Sequence, residues 1–237
     1  MRDANRIVAE TLALLADKVR VGISTFELDD IAGKNARSCG SRPAFKGYHG
    51  FPASLCVSIN SQVVHGIPSR KVRLREGDLV SMDFGVEYKG YFGDSAITVA
   101  VGDIAGEDRR LLEVTRESLL RGIAAATVGH RVNDISRAVQ SYVEGEGFSV
   151  VRQFVGHGIG ANLHEPPEIP NYQRSERSPK LMAGMTLAIE PMVNAGTHKV
   201  KVLKDGWTVV TEDGRPSAHF EHTVVVTENG PEILSRL

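Results

Sequence analysis

Between residues 79 and 96 the chain reads LVSMDFGVEYKGYFGDSA, two mostly apolar arms joined near Glu87-Tyr88-Lys89-Gly90 with an aspartate in each. Asp is disfavoured in strands and costly to bury without a partner. If the chain turns near residues 88–89, Asp83 and Asp94 lie across from one another and can point to one face. Two carboxylates so placed repel, and one stays protonated unless a cation sits between them. A metal ion answers that problem economically. An exposed polar sheet face answers it too, and this stretch alone does not choose.

The second half of the chain supplies more ligand types. GHGIGANLHEPP (156–167) sets His157 between glycines and places His164 seven residues later. Flanking glycines let backbone approach closely and leave an imidazole accessible, which suits a ligand or base better than a packed core. LAIEPM puts a carboxylate, Glu190, in an apolar strand just before Pro191. HFEHTVVV brings Glu221 to the start of the last β-branched run, with His219 on its face by alternation and His222 on the other. The candidates are therefore Asp83, Asp94, His157, Glu190 and Glu221. Four carboxylates and one imidazole match two divalent cations, and hard oxygen ligands favour Mn, Fe, Co or Zn over a thiolate-type site. Two such ions can share a water, lower its pKa and polarise a carbonyl. His65, in VVHGIP, and His164 remain as imidazoles for proton transfer or for hydrogen-bonding an oxyanion. Hydrolysis of an amide is the reaction this equipment fits.

The elements that must position these groups are legible in outline. Residues 3–20 carry Val8, Leu12, Leu15 and Val19 at helical spacing, and a second helix follows Gly22 with Ser24 and Glu27 as a capping box and Gly40 as its stop. Residues 106–127 and 132–144 read as two further helices. FSVVRQFVG, MTLAIEPMV, WTVVTEDG and HFEHTVVVTENG read as strands. This order occurs twice. The shift that carries Gly22 onto Gly129 also aligns Glu27, Leu28 and Gly40 with Asp134, Ile135 and Gly147, and LREGDLVSMD with LMAGMTLAIE. The second alignment lays Asp83 on Glu190. The expectation is an α+β fold: a pseudo-two-fold duplicated unit, one domain over residues 1–237 with halves of roughly 1–105 and 106–237, helices covering a shared antiparallel sheet.

The bulk numbers fit that picture. The chain has 237 residues, 41% apolar and 24% charged, with a formal net charge of −1, so nothing favours a nucleic-acid or membrane surface. Cys39 and Cys56 make no disulfide framework. No apolar run is long enough to span a bilayer, and MRDANRIVAE lacks the apolar core of a signal peptide, so a cytoplasmic protein is the default expectation.

GYHGFPASLCVSIN, VVHGIP, MDFG with GYFGDSA, GHGIG with LHEPP, IEPM and FEHTVVVT occur here in the order found in type I methionine aminopeptidases, which the sequence resembles over nearly its whole length. The resemblance is to the short bacterial form, and it implies the pita-bread (creatinase/aminopeptidase-like) fold. It implies two metals at Asp83, Asp94, His157, Glu190 and Glu221, the set reached from the residues themselves. The activity implied is removal of the initiator methionine when the next residue is small, by a hydroxide bridging the metals. The partners implied are N-terminal methionyl peptides and nascent chains, with transient ribosome association by a monomer. From the resemblance alone, His65 and His164 contact substrate and intermediate, and Glu190 also exchanges the water's proton. Likewise Tyr48, Phe51, Cys56, His65 and Trp207 line the methionine pocket, with residues 195–218 a loop forming one wall. Two positions depart from many relatives: Leu163 replaces an aromatic and Val64 a cysteine. A proline-specific peptidase of the same fold is the nearest rival; those usually carry EPG where this chain has IEPM. A metal-free binding module built on this fold, or a creatinase-like enzyme without metal, is the other, although such relatives lose ligands that are all present here.

Overall fold

In the computed structural model, which describes residues 1–237, the N-terminal apolar spacing forms α1 (Arg2–Lys18), with Ala4, Ile7, Val8, Leu12 and Leu15 buried along one face. α2 (Thr25–Ser38) begins at the expected capping box: the Glu27 N–H donates to Ser24 Oγ at 3.2 Å and the Ser24 N–H to Glu27 Oε2 at 2.9 Å. Each satisfied terminal donor spares the helix an orphaned N–H, worth about 1 kcal/mol. α3 (Gly106–Ala124) and α4 (Val132–Gly145) follow the hairpin close to their expected bounds.

The four helices pack on a nine-stranded sheet. Its path runs from Arg42–Pro43 through the hairpin strands Leu79–Tyr88 and Tyr91–Ala100 to Glu221–Thr227, then Thr186–Ile189, Gly156–Gly158 and Glu165–Ile169. Cys56–Ile59 pairs beside Leu79–Tyr88, and Gly230–Ile233 beside Glu221–Thr227; every pairing is antiparallel. Val80, Met82, Phe84 and Val86 join the core under α1 and α2, while Leu187, Ile189, Val224 and Val226 join the core that includes Leu119, Ile123 and Ile135 of α3 and α4. Fully burying a Leu, Phe or Met contributes roughly 1.5–3 kcal/mol, so these two apolar layers fix which face of each strand is left for polar side chains.

Local contacts recur in the two halves at the offset seen in the sequence. The Gly22 N–H donates to the Leu74 carbonyl at 2.8 Å, and the Gly129 N–H to the Leu181 carbonyl at 3.1 Å. Leu74 N–H meets Ile23 O at 2.9 Å, and Leu181 N–H meets His130 O at 2.8 Å. Asp134 Oδ2 takes the Arg131 N–H at 2.8 Å, as Glu27 takes that of Ser24. Gly22 and Gly129 both hold left-handed backbone, φ +87° and +88°, which a side chain disfavours.

Three details differ from the sequence reading. The hairpin turns on Lys89 and Gly90, both at positive φ, so Asp83 pairs with Ala96 and Asp94 with Gly85. The two aspartates therefore share a face but sit diagonally, two positions apart, because moving the turn by one residue moves every partner by two. Of FSVVRQFVG only Ser149–Val150 and the terminal Gly156 are strand; the chain between leaves the sheet where Phe154 meets His65 edge-to-face, ring centroids 5.5 Å apart. Residues 195–218 are not a simple loop. Val200–Val202 and Val209–Thr211 form a hairpin that pairs onto Gln62–Val64. Its turn is held by Asp205, whose Oδ1 accepts the N–H groups of Trp207 and Thr208 at 2.9 Å each.

Candidate active site

Strand alternation decides where the carboxylates face. With Met82 and Phe84 committed to the helix-side core, Asp83 and Gly85 turn to the opposite face, and Asp94 lies over Gly85. A Cβ at Gly85 would stand 3.2 Å from Asp94 Oδ1 and 2.9 Å from the Phe45 ring, so the glycine of MDFG leaves room for the carboxylate. Glu221 enters from the next strand, opposite Ala96. Glu190 sits where the strand Thr186–Ile189 breaks before Pro191, which has no N–H to continue a ladder. His157 comes from Gly156–Gly158. A Cβ at Gly156 would lie 2.4 Å from the Ala188 carbonyl oxygen, and one at Gly158 2.3 Å from that of Pro166. The glycines thus let the neighbouring backbones close around the histidine.

Ligand atoms of Asp94, His157 and Glu221 lie within 4.8 Å of one another. All three are buried, exposing 4%, 8% and 2% of their surface. The Glu190 carboxylate is bracketed by two imidazoles, with His157 Nε2 at 3.6 Å from Oε1 and His219 Nε2 at 3.6 Å from Oε2. Asp83 Oδ1, Asp94 Oδ1 and Glu221 Oε1 are buried without any hydrogen-bond partner. Buried polar atoms are paired in all but a few cases, so three orphaned carboxylate oxygens in one place call for positive charge. His157 Nδ1 lies 2.9 Å from the Gly158 carbonyl, and donating its proton there leaves Nε2 with a free lone pair. Oxygen donors with one imidazole fit hard or borderline divalent cations.

Electrostatics point the same way. Burial pushes the Asp83 carboxyl up to about 7 and that of Glu190 up to about 8. Burial, reinforced by the neighbouring carboxylates, also drives Asp94 and Glu221 well above the usual range. His157 and His65 are pushed down to about 4 by burial, so both imidazoles are neutral near pH 7. Burial raises the Cys56 thiol, with Asp83 and Asp94 adding to the effect; it stays protonated and acts as a polarizable wall.

Above the carboxylates opens a cavity of about 310 Å³ lined by 18 residues, ten of them hydrophobic. Every candidate catalytic, metal-ligating or substrate-binding residue of the sequence lines it: Asp83, Asp94, His157, Glu190, Glu221, His65, His164, Tyr48, Phe51, Cys56 and Trp207. Trp207 meets Phe51 edge-to-face at 5.1 Å, and the Tyr48 hydroxyl lies 2.7 Å from His164 Nδ1. His65 adopts φ +59°, strained for a non-glycine residue and tolerated here beside the reactive groups. Leu163 and Val64 also reach the wall, as do Phe45, His49, Phe154, Val155 and Met192, which the sequence reading passed over. Phe154 and Met192 gave no clear signal, because an aromatic or a Met in an apolar run reads as core.

Residues 1–228 match the family model described as metallopeptidase family M24. The chain belongs to metallopeptidase family M24. Within and around that family, the methionine aminopeptidase of Clostridium perfringens is 56% identical over 99% of this chain and 94% of that protein. Methionine aminopeptidase 1 of Bacillus subtilis is 54% identical over 100% of this chain and 95% of that protein. The crystal structure of methionine aminopeptidase from Thermotoga maritima superposes with a TM-score of 0.98 at 43% identity, covering 100% of this chain and 95% of that one. This M24 chain has the pita-bread fold of these structures. Xaa-Pro dipeptidase from Bacillus anthracis shares that fold at 23% identity and a TM-score of 0.81, and this chain covers 59% of it. No helix of this M24 member is long and apolar enough to cross a membrane.

Proposed function

We propose that the chain is a methionine aminopeptidase that removes the N-terminal methionine of polypeptides whose second residue is small. The observation that carries this reading is the set of orphaned carboxylate oxygens of Asp83, Asp94 and Glu221 gathered with Glu190 and His157 at the floor of an aromatic-walled cavity. The names of the M24 relatives, at 54–56% identity over essentially whole chains, support the choice of substrate. Two divalent cations, of Co, Mn, Fe or Zn, held by those five side chains would lower the pKa of a water and polarise the scissile carbonyl. Tyr48, Phe51, Cys56, His65 and Trp207 hold the methionine side chain, their rings and thiol giving polarizable contact to its thioether. Glu190 takes a proton from the attacking water and returns it to the leaving amine. His164, fixed by the Tyr48 hydroxyl, and His65 are neutral donors to the oxyanion of the tetrahedral intermediate. The chain acts as one pseudo-symmetric catalytic unit, a cytoplasmic monomer that meets nascent chains in transient contact with the ribosome.

The test is turnover of Met-Ala-Ser against Leu-Ala-Ser and Ala-Pro peptides, with chelator-free protein and a panel of divalent metals. Metal-dependent release of Met in preference to Leu is expected. Preference for the Ala-Pro bond would replace the reading with a proline-specific one, and no metal binding with no restored hydrolysis would sink the enzyme altogether.

A further inference from the structure

His219 ends the short strand Ser217–His219, which pairs with Met192–Asn194 and is followed at once by Glu221. Its backbone is tied to the hairpin: Thr98 Oγ1 donates to the His219 carbonyl at 2.7 Å and accepts the His219 N–H at 2.9 Å. The side chain is 1% exposed, yet neither ring nitrogen has a hydrogen-bond partner. A fully buried imidazole with both nitrogens idle is rare in a folded protein, since each lost hydrogen bond destabilises it. Nε2 points at the Glu190 carboxylate, 3.6 Å from Oε2, just outside hydrogen-bond reach. His219 does not line the cavity, whereas Glu190 does. The imidazole therefore packs against Glu190 from outside the cavity, close enough to be felt by both Asp83 and His65.

We propose that His219 is a positioning residue: its Nε2–H donates to Glu190 Oε2 and fixes the carboxylate in the orientation needed for metal ligation and proton transfer. At 3.6 Å, donor and acceptor need to close by only a few tenths of an ångström to reach hydrogen-bond distance. On the other side, His157 Nε2 faces Oε1 with a lone pair, so the two imidazoles are not equivalent. His157 offers an acceptor for a cation, and His219 offers the proton that holds one carboxylate oxygen in place while the other is free to act. Outer partners of this kind typically change metal affinity or activity by about 10- to 100-fold when removed.

This inference rests on the role proposed above for Glu190, and its test separates the two. Mn²⁺ is titrated calorimetrically into metal-free parent, H219L, H219Q and H219N, the visible spectrum of each Co²⁺ form is recorded, and kcat and KM are measured with Met-Ala-Ser. H219L should weaken Mn²⁺ binding about 10- to 100-fold, alter the Co²⁺ spectrum and lower kcat more than it changes KM. H219Q places an amide N–H near the Nε2 position and should recover most of all three. Asn reaches only to the Nδ1 position, so H219N should resemble H219L; this pair decides the matter even if H219L does not fold. Parent-like Mn²⁺ affinity in H219L, or H219Q no better than H219N, would overturn the role of His219. A parent that binds no Mn²⁺ would instead overturn the reading of the whole site.

Discussion

Glu190 concentrates the chemistry of the site in a single side chain. Its carboxylate is 15% exposed, faces the cavity, and lies between two imidazoles with no hydrogen bond to a backbone donor. Glu190→Gln keeps the shape and removes the proton acceptor. Turnover of Met-Ala-Ser should fall roughly 10²- to 10⁴-fold, the usual worth of a general base. The melting temperature of the metal-free variant should hold or rise, because one ionisable group leaves a crowded acidic cluster; a variant with near-normal turnover would remove Glu190 from the mechanism. The role of such residues was readable where glycine or proline punctuates the chain, as at Gly156-His157-Gly158 and Glu190-Pro191, since those residues restrict what the backbone there can be doing. Phe154 and His219 were harder. A single aromatic in an apolar run reads as core, and the idle nitrogens of a buried histidine are a property of its surroundings in space.

At the scale of elements, the hairpin Leu79–Ala100 carries two of the proposed ligands, Asp83 and Asp94, on one face while its other face is locked into the α1/α2 core. Asp83 and Asp94 are close enough that each disturbs the other's ionisation. Without metal the hairpin bears that strain, and only the apolar face holds it down. Amide exchange around Asp83–Ala96 should therefore be faster in the metal-free protein than after Mn²⁺ addition, with α1 little changed. Equal protection in both states would show that the carboxylates do not limit local opening. Strand pairing and the shared face could be read from alternation, but not the register. Residues Tyr88-Lys89-Gly90 permit a turn centred at either of two points, and the positive φ at Lys89 that selects one leaves no clear mark in residue type. The hairpin bearing Trp207 was obscured for a related reason: Gly206 and Asp205 signal a turn, whereas the partner strand Gln62–Val64 lies far back in the other half of the chain.

For the whole molecule, the buried acids set how stability depends on pH. Asp83 and Glu190 have folded-state values of about 7 and about 8, above the ordinary 3.8 and 4.5. A raised value means the folded chain binds more protons, so the stability these groups contribute is present at low pH and lost as pH rises through 7 and 8. His65, His157 and His222, pushed down to about 4, act in the opposite sense, but only below their ordinary value of 6.5. Between pH 6.5 and 8 the carboxyls dominate. The metal-free protein should lose about 1.4 kcal/mol per pH unit for each proton that the folded chain holds and the unfolded chain does not, or roughly 2–4 °C in melting temperature per kcal/mol. The fall should level off once pH passes the folded values of about 7 and about 8. The Mn²⁺-loaded protein should show no such fall, since deprotonation favours ligation. A metal-free melting temperature that climbs from pH 6.5 to 8 would exclude the cluster as the source. At this scale the most informative signal in the sequence is the internal similarity at one fixed offset, which lays Asp83 on Glu190 without reference to any strand. The contacts that recur at its offset support our proposal of a duplicated unit.

The strand Glu221–Thr227 lies between Tyr91–Ala100, under one helix pair, and Thr186–Ile189, under the other. It is among the last strands made, yet it joins both halves and carries Glu221, the fifth of the proposed ligands. The proposed ligands, drawn from positions 83, 94, 157, 190 and 221, converge only once these distant segments have met. A barrier crossed before that convergence cannot be lowered by an ion that has nowhere to bind. Metal should thus leave the refolding rate nearly unchanged and act on the reverse step, slowing unfolding in proportion to the stability it adds. The ion would serve as a latch on a finished protein, setting how long each molecule lasts rather than how quickly it is made.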